Sequence, residues 1–141
     1  MIAALLLTGV ATASQILSVP DLVAHKAEFQ GKTVEVRGWM GECKPLGCFI
    51  HSTLAGAKKS ELDPDRRTWL SIGSVGRAFD DRAIRLRGKE VLLRGRFDGT
   101  CLSNDEASAS PSGDFSITVC ADRANEIQPE GPQSITPVRD R

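Results

Sequence analysis

Gly31-Lys32-Thr33-Val34-Glu35-Val36-Arg37-Gly38 returns later in the chain as Gly88-Lys89-Glu90-Val91-Leu92-Leu93-Arg94-Gly95. Five of the eight positions are identical, and Val36 and Leu93 are both aliphatic. Each copy opens on a Gly-Lys turn and then alternates, so Val34 and Val36, or Val91 and Leu93, share one face of a strand. Glu35 and Arg37, or Arg94 and Arg96, fall on the other face. The glycine that closes each copy lies inside the run, where it predicts a bulge or tight bend of the kind that lets a small barrel close. With only two copies, the echo describes two equivalent barrel strands rather than a solenoid.

Three further strands follow from alternation. Residues 47–52 (Gly-Cys-Phe-Ile-His-Ser) form the second, after a turn bounded by cysteines. Residues 68–72 form the third, with Leu70 and Ile72 on one face and Trp69 and Ser71 on the other. Residues 115–121 form the fifth, with Phe115, Ile117, Val119 and Ala121 alternating against Ser116, Thr118 and Cys120. Between the third strand and the second Gly-Lys copy, Val75, Phe79 and Ala83 recur at helical spacing, with Ser74 as the expected N-cap. A short helix also precedes the first copy: Ser18 and Asp21 resemble a capping box, Leu22 and Val23 supply an apolar face, and Gly31 ends it. Residues 55–66 read as a polar insertion, and residues 103–113 as a mobile loop. The segment 129–141, with Pro129, Pro132 and Pro137 and little apolar content, is expected to be a disordered tail.

The order is therefore helix, three strands, helix, two strands. With Gly31-Lys32-x-Val34 and Gly38, their echo at 88–95 and the helix between, the chain resembles the OB-fold domains of small exported bacterial proteins, at the level of fold. The resemblance implies an all-β fold with short helices, a five-stranded OB-type Greek-key barrel with a helix between strands 3 and 4, over residues 14–128. It carries no catalytic residues.

Export is read from residues 1–13, the expected signal peptide. Residues 2–10 are an apolar run broken only by Thr8 and Gly9, and Ala11-Thr12-Ala13 matches an A-x-A cleavage site. The run is too short to span a bilayer, which takes about 20 apolar residues. No Lys or Arg precedes it, which predicts a start upstream or an internal methionine at position 1. Cleavage would leave a chain that begins near Ser14, periplasmic or secreted, with no transmembrane segment.

Cysteine usage fits that compartment. Cys43, Cys48, Cys101 and Cys120 allow three pairings. In an OB barrel the ends of the first and fourth strands lie at opposite ends, which favours Cys43–Cys48 and Cys101–Cys120. The sharper alternative is a metal- or redox-active protein using Cys43, Cys48 and His51, with His25 as a fourth ligand, although the C-x4-C spacing matches neither paired zinc-ligand motifs nor the C-x-x-C of thiol oxidoreductases.

Composition narrows the function classes. The chain has 141 residues, enough for one domain, and its 18 Lys and Arg balance 18 Asp and Glu. A nucleic-acid domain would carry a basic excess, so nucleic acid is not an expected partner. The charges are uneven along the chain: Arg77, Arg82, Arg85, Arg87, Lys89, Arg94 and Arg96 form a basic run, and residues 98–130 are acidic apart from Arg123. A solvated face paired with the acidic segment explains this better than a basic groove. The sequence has no G-x-S-x-G, H-E-x-x-H or P-loop motif, so no enzyme is expected, nor any metal or cofactor. OB modules bind across strands two and three, often by aromatic stacking, which singles out Trp69, Phe49, His51 and Arg67 as ligand-binding candidates. The competing reading is that Trp69 and Phe49 are core residues. The expected protein is a monomeric, non-enzymatic binding or adaptor module for a glycan, a small anion or an envelope protein. If all four cysteines pair, thiol titration of the denatured, unreduced protein finds no free thiol; any reactive thiol would count against two disulfides.

Overall fold

The two Gly-Lys copies lie side by side and pair with each other in the computed structural model, which describes residues 15–45, 47–99 and 125–140. In chain order the elements are β1 (Ile16–Ser18), α1 (Val19–Ala24), α2 (Lys26–Phe29), β2 (Thr33–Lys44), β3 (Gly47–His51) and α3 (Leu54–Lys58). These are followed by β4 (Trp69–Ile72), α4 (Arg77–Arg85), β5 (Glu90–Asp98), β6 (Glu126–Pro129) and β7 (Ile135–Pro137), with 3-10 turns at Arg66–Thr68 and Pro132–Ser134.

β2 and β5 run antiparallel in unbroken register from Thr33 opposite Arg96 to Trp39 opposite Glu90. This register sets the valine of each copy opposite the closing glycine of the other: Val34 faces Gly95, and Val91 faces Gly38. The turns repeat as well. Gly31 and Gly88 adopt φ of +74° and +76°, a left-handed conformation natural to glycine. The Gly31 amide donates to the Phe97 carbonyl at 2.9 Å, and the Phe97 amide donates back to Lys32 at 2.9 Å. Gly88 donates to Met40 at 2.8 Å, and Met40 donates to Lys89 at 2.9 Å. The sequence echo is thus a local two-fold axis between β2 and β5.

The same symmetry organises their outer neighbours. β1 lies parallel to β2 over residues 35–37, and β3 takes over that edge from Trp39 to Lys44. β7 pairs with β5 over residues 91–93, and β6 takes over from Gly95 to Asp98. The closing glycines sit where the second neighbour crosses. A Cβ on Gly38 would come within 2.8 Å of the His51 carbonyl oxygen, and one on Gly95 within 2.5 Å of the Gln128 carbonyl oxygen. They allow close approach of backbone rather than a bulge; the irregularity in β2 falls later, between Met40 and Cys43.

The barrel closes as β2-β3-β4-β6-β5 and back to β2, with β4 and β6 parallel and α4 between β4 and β5. That is an OB-type barrel carrying β1 and β7 as extra strands. Its interior holds Val34, Val36, Met40, Ile50, Leu70, Ile72, Val91, Leu93, Phe97 and Ile127, all buried. Val19 and Leu22 of α1 and Phe79 and Ala83 of α4 join the same core. Ser18 caps α1 by accepting from the Asp21 amide at 3.2 Å. The expected single helix before β2 is two short ones, divided at His25. The N-cap of α4 is Gly76, not Ser74, with φ at +115°.

Two expectations are corrected. The fifth barrel strand is Glu126–Pro129, whereas residues 115–121, proposed for that place, lie outside the described residues, as do 1–14 and the loop at 103–113. The segment from 129 onward is not a disordered tail: the turn at Pro132–Ser134 leads into β7, and Ile135 is 0% exposed. Arg82 of α4 donates from Nε to the Ile135 carbonyl at 2.8 Å, fixing β7 against the helix. Ile135→Ala is therefore expected to destabilise the protein by about 2–5 kcal/mol, as for other buried aliphatic truncations. A urea melt checks this, and an unchanged midpoint would show that β7 adds nothing to the fold.

Candidate functional site

An OB barrel binds ligands on the outer face of its second and third strands, here β3 and β4. The pleat decides which side chains reach that face. Ile50, Leu70 and Ile72 point into the barrel, so Phe49, His51, Trp69 and Ser71 point out. Register aligns Trp39, His51 and Trp69 in one row across β2, β3 and β4, and Phe49 opposite Ser71 in the next. Phe49 and Trp69 meet edge to face, with ring centroids 5.8 Å apart and planes at 79°.

This aromatic face is covered by the chain itself. Trp69 is 2% exposed and Phe49 4%, and together with Leu62 they form a small second core. The Trp69 indole Nε1 donates to the Asp63 carbonyl at 2.8 Å. The polar insertion after β3 therefore folds back over the strands it connects, and it contains the unforeseen helix α3, capped by Thr53 accepting from Gly56 at 3.0 Å. Of the two readings of Trp69 and Phe49, exposed ligand patch or core, the structure bears out the second: both aromatics are buried.

His51 is 4% exposed and sits in a cradle of glycines. A Cβ on Gly41 would fall onto its Nε2 and Cδ2, and one on Gly56 of α3 would lie 3.5 Å from Nδ1. No hydrogen bond to either ring nitrogen occurs among the described residues, and neither nitrogen is a fully buried unpaired atom. Burial pushes the imidazole below its ordinary pKa, with the nearby Asp63 carboxylate pulling weakly the other way. The Ser71 hydroxyl, 3% exposed, also lacks a partner. Leaving a buried hydroxyl unpaired costs about 1–3 kcal/mol. Arg67 takes no part in this cluster: it is exposed, with Nε and Nη2 each 2.9 Å from a different oxygen of Asp65. Its guanidinium holds the Asp65 carboxyl below the usual carboxylate range.

Cys43 and Cys48 lie directly opposite each other across the β2–β3 turn and form a disulfide, with Cα atoms 4.0 Å apart. Their sulfurs are bonded to each other, which removes the proposed thiolate ligand set with His51. His25 is exposed, and its Nδ1 lies 2.9 Å from the Asp21 carbonyl. No cluster of three or more metal-ligating side chains occurs among the described residues. Cys101 and Cys120 lie outside them.

The disulfide lines an open groove of about 500 Å3 between the β2–β3 turn and α4. Pro45, Ile72 and Ile84 supply apolar walls, and Lys44, Ser74 and Asp80 supply polar groups. Ile84 is 56% exposed, one of the two large apolar side chains left in solvent among the described residues. A smaller hollow of about 210 Å3 lies beside Phe29, Lys32, Glu35 and Arg94. The remaining members of the basic run are mostly solvated, as the charge pattern predicts.

No family model matches the sequence, and a comparison with curated proteins finds no match. Among solved structures, the chain is similar to the crystal structure of a protein described as an aspartyl-tRNA synthetase from Leishmania major. The identity is 14% and the TM-score 0.46, with 99% of this chain covering 23% of that one, so the chain spans less than a quarter of that protein.

The covered aromatic face leads to paired expectations for stability. Trp69→Ala should cost about 3–5 kcal/mol, the usual range for a buried aromatic truncation. Ser71→Ala, which removes an unpaired hydroxyl, should be neutral or stabilising. Chemical denaturation of both variants checks this, and a stable Trp69→Ala protein would mean that the cover is not bound to the face.

Proposed function

We propose that this chain is a binding or adaptor module of OB type, working in an oxidising compartment outside the cytoplasm, and that its open site is the groove between the β2–β3 turn and α4. The observation that carries this reading is the groove itself. Its volume lies within the usual range for ligand clefts, about 300–1,000 Å3, and apolar walls surround a few convergent polar groups. The turn between the first two barrel strands is also one of the loops through which OB modules bind. The site is thus moved from Trp69, whose surface is occupied, to the neighbouring end of the same strands.

The Cys43–Cys48 disulfide is compatible with export, because such bonds persist in oxidising compartments. No described helix is long and apolar enough to cross a membrane. The signal peptide at 1–13 and a periplasmic location belong to this proposal. An apolar side chain such as Ile84, exposed at the rim of a groove, suits a protein or peptide partner better than a small anion.

Ile84→Glu tests the reading. At an exposed helical position the change should move stability by no more than about 0.5 kcal/mol. It should abolish retention of the partner that the wild-type protein captures from the envelope fraction. A partner retained equally well by both proteins would overturn the groove as the site.

A further inference from the structure

We propose that residues 52–68 are a strap closed over the aromatic row on β2, β3 and β4, and that a proton taken up by His51 releases it. The geometry of the strap is the first support. Its two ends are joined at the barrel, where the Ser52 amide donates to the Thr68 carbonyl at 2.8 Å. The segment therefore leaves and re-enters the sheet at one point, as compact functional loops do.

Its bonds are mainly its own. Thr53 caps α3, the Asp65 amide donates to Asp63 Oδ1 at 2.8 Å, Arg67 pairs with Asp65, and the Thr68 hydroxyl donates to the Asp65 carbonyl at 2.7 Å. Among the described residues, two hydrogen bonds tie it to the barrel: Trp69 Nε1 to the Asp63 carbonyl, and Lys44 Nζ to the Ser60 carbonyl at 2.8 Å. A unit bonded within itself and lightly bonded to its support can lift without unfolding.

What lies beneath is the second support. Trp39, His51 and Trp69 make the aromatic row, with Phe49 and the unpaired Ser71 hydroxyl beside it. The Ser71 hydroxyl is held unpaired under the closed strap, a cost that water would relieve once the strap lifts.

The third support is the position of His51. Its ring fills the space between Gly41 of β2 and Gly56 of α3, so the strap can stay closed only over an uncharged imidazole or a compensated one. The groups facing it are Gly41 and Trp39 from β2, Trp69 from β4, Gly56 from α3 and Asp63 from the strap; Asp63 is the one charge acting on it among the described residues. The closed state therefore resists protonation, and burial outweighs the pull of Asp63. With the closed-state pKa below the ordinary value of 6.5, the open state takes up a proton that the closed state refuses. Closure is complete above that value and weakens as the pH falls through it.

The test uses the full chain with Trp39→Phe, leaving Trp69 as the single tryptophan, and reads acrylamide quenching of its fluorescence against pH. Opening linked to one proton shifts by up to about tenfold per pH unit between the two pKa values. Quenching should therefore rise as the pH falls below about 6.5 while the far-UV circular dichroism of the barrel is retained. Adding His51→Gln should abolish the rise. Asp63→Asn, which can keep the bond to the Asp65 amide but loses the charge that eases protonation of the closed state, should give more quenching at acid pH than its parent, and this variant decides the matter if His51→Gln fails to fold. Quenching that ignores pH, a rise that survives His51→Gln, an Asp63→Asn protein quenched no more than its parent at acid pH, or loss of the barrel signal together with the quenching change would each overturn the proposal. None of these results depends on the Ile84 groove.

Discussion

The antiparallel pairing of β2 with β5 is the contact on which the other elements depend. Each strand must present an apolar inner face and also let a second neighbour cross its backbone at close range. Valine and glycine divide those tasks, and the register places the valine of one copy against the glycine of the other. Shifting the pairing by one residue would turn Val34, Val36, Val91 and Leu93 toward solvent and set side chains where the His51 and Gln128 carbonyls now pass. Once the register is set, β3 and β6 take the crossing positions, and β1 and β7 fill the remaining edges. The exposed Arg37–Glu90 ion pair between the two strands adds little beside this, because exposed pairs are worth about 0–1 kcal/mol.

The parts of this fold that depend on local chemistry were legible in the sequence. Gly31 and Gly88 announce left-handed turns, the alternation of Val34 with Val36 announces an inner face, and Ser18 announces a cap; none of these needs knowledge of distant residues. β7 was missed for the opposite reason. It has a single inward residue, Ile135, among polar neighbours and prolines, too short a stretch for alternation to register. Its burial comes from β5 and Arg82, both distant in sequence. Pro137 is tolerated because β7 lies at an edge.

The aromatic face divides in the same way. Periodicity correctly separated Leu70 and Ile72 from Trp69 and Ser71, and it aligned Phe49 and His51 with the latter pair. It could not show that the outer surface was occupied, because the group that receives the Trp69 indole is the carbonyl of Asp63, and a backbone carbonyl has no signature in residue type. Gly41 and Gly56 likewise read as ordinary flexible positions until the imidazole is seen between them. The Cys43–Cys48 bond was accessible because the two residues bracket a short turn.

The way β5 acquires its second neighbours also bears on the order of assembly. The outer edge of β5 is filled by β6 and β7, which lie beyond the intervening residues 99–125, whereas β2 and β3 form a hairpin from adjacent sequence. Closure must therefore wait until a distant segment has been synthesised, and joining such remote contacts is intrinsically slow. Until then the chain holds an open-edged sheet rather than a finished barrel. A polypeptide that completes its fold late also keeps unpaired strand edges exposed for longer, where another chain can add to them.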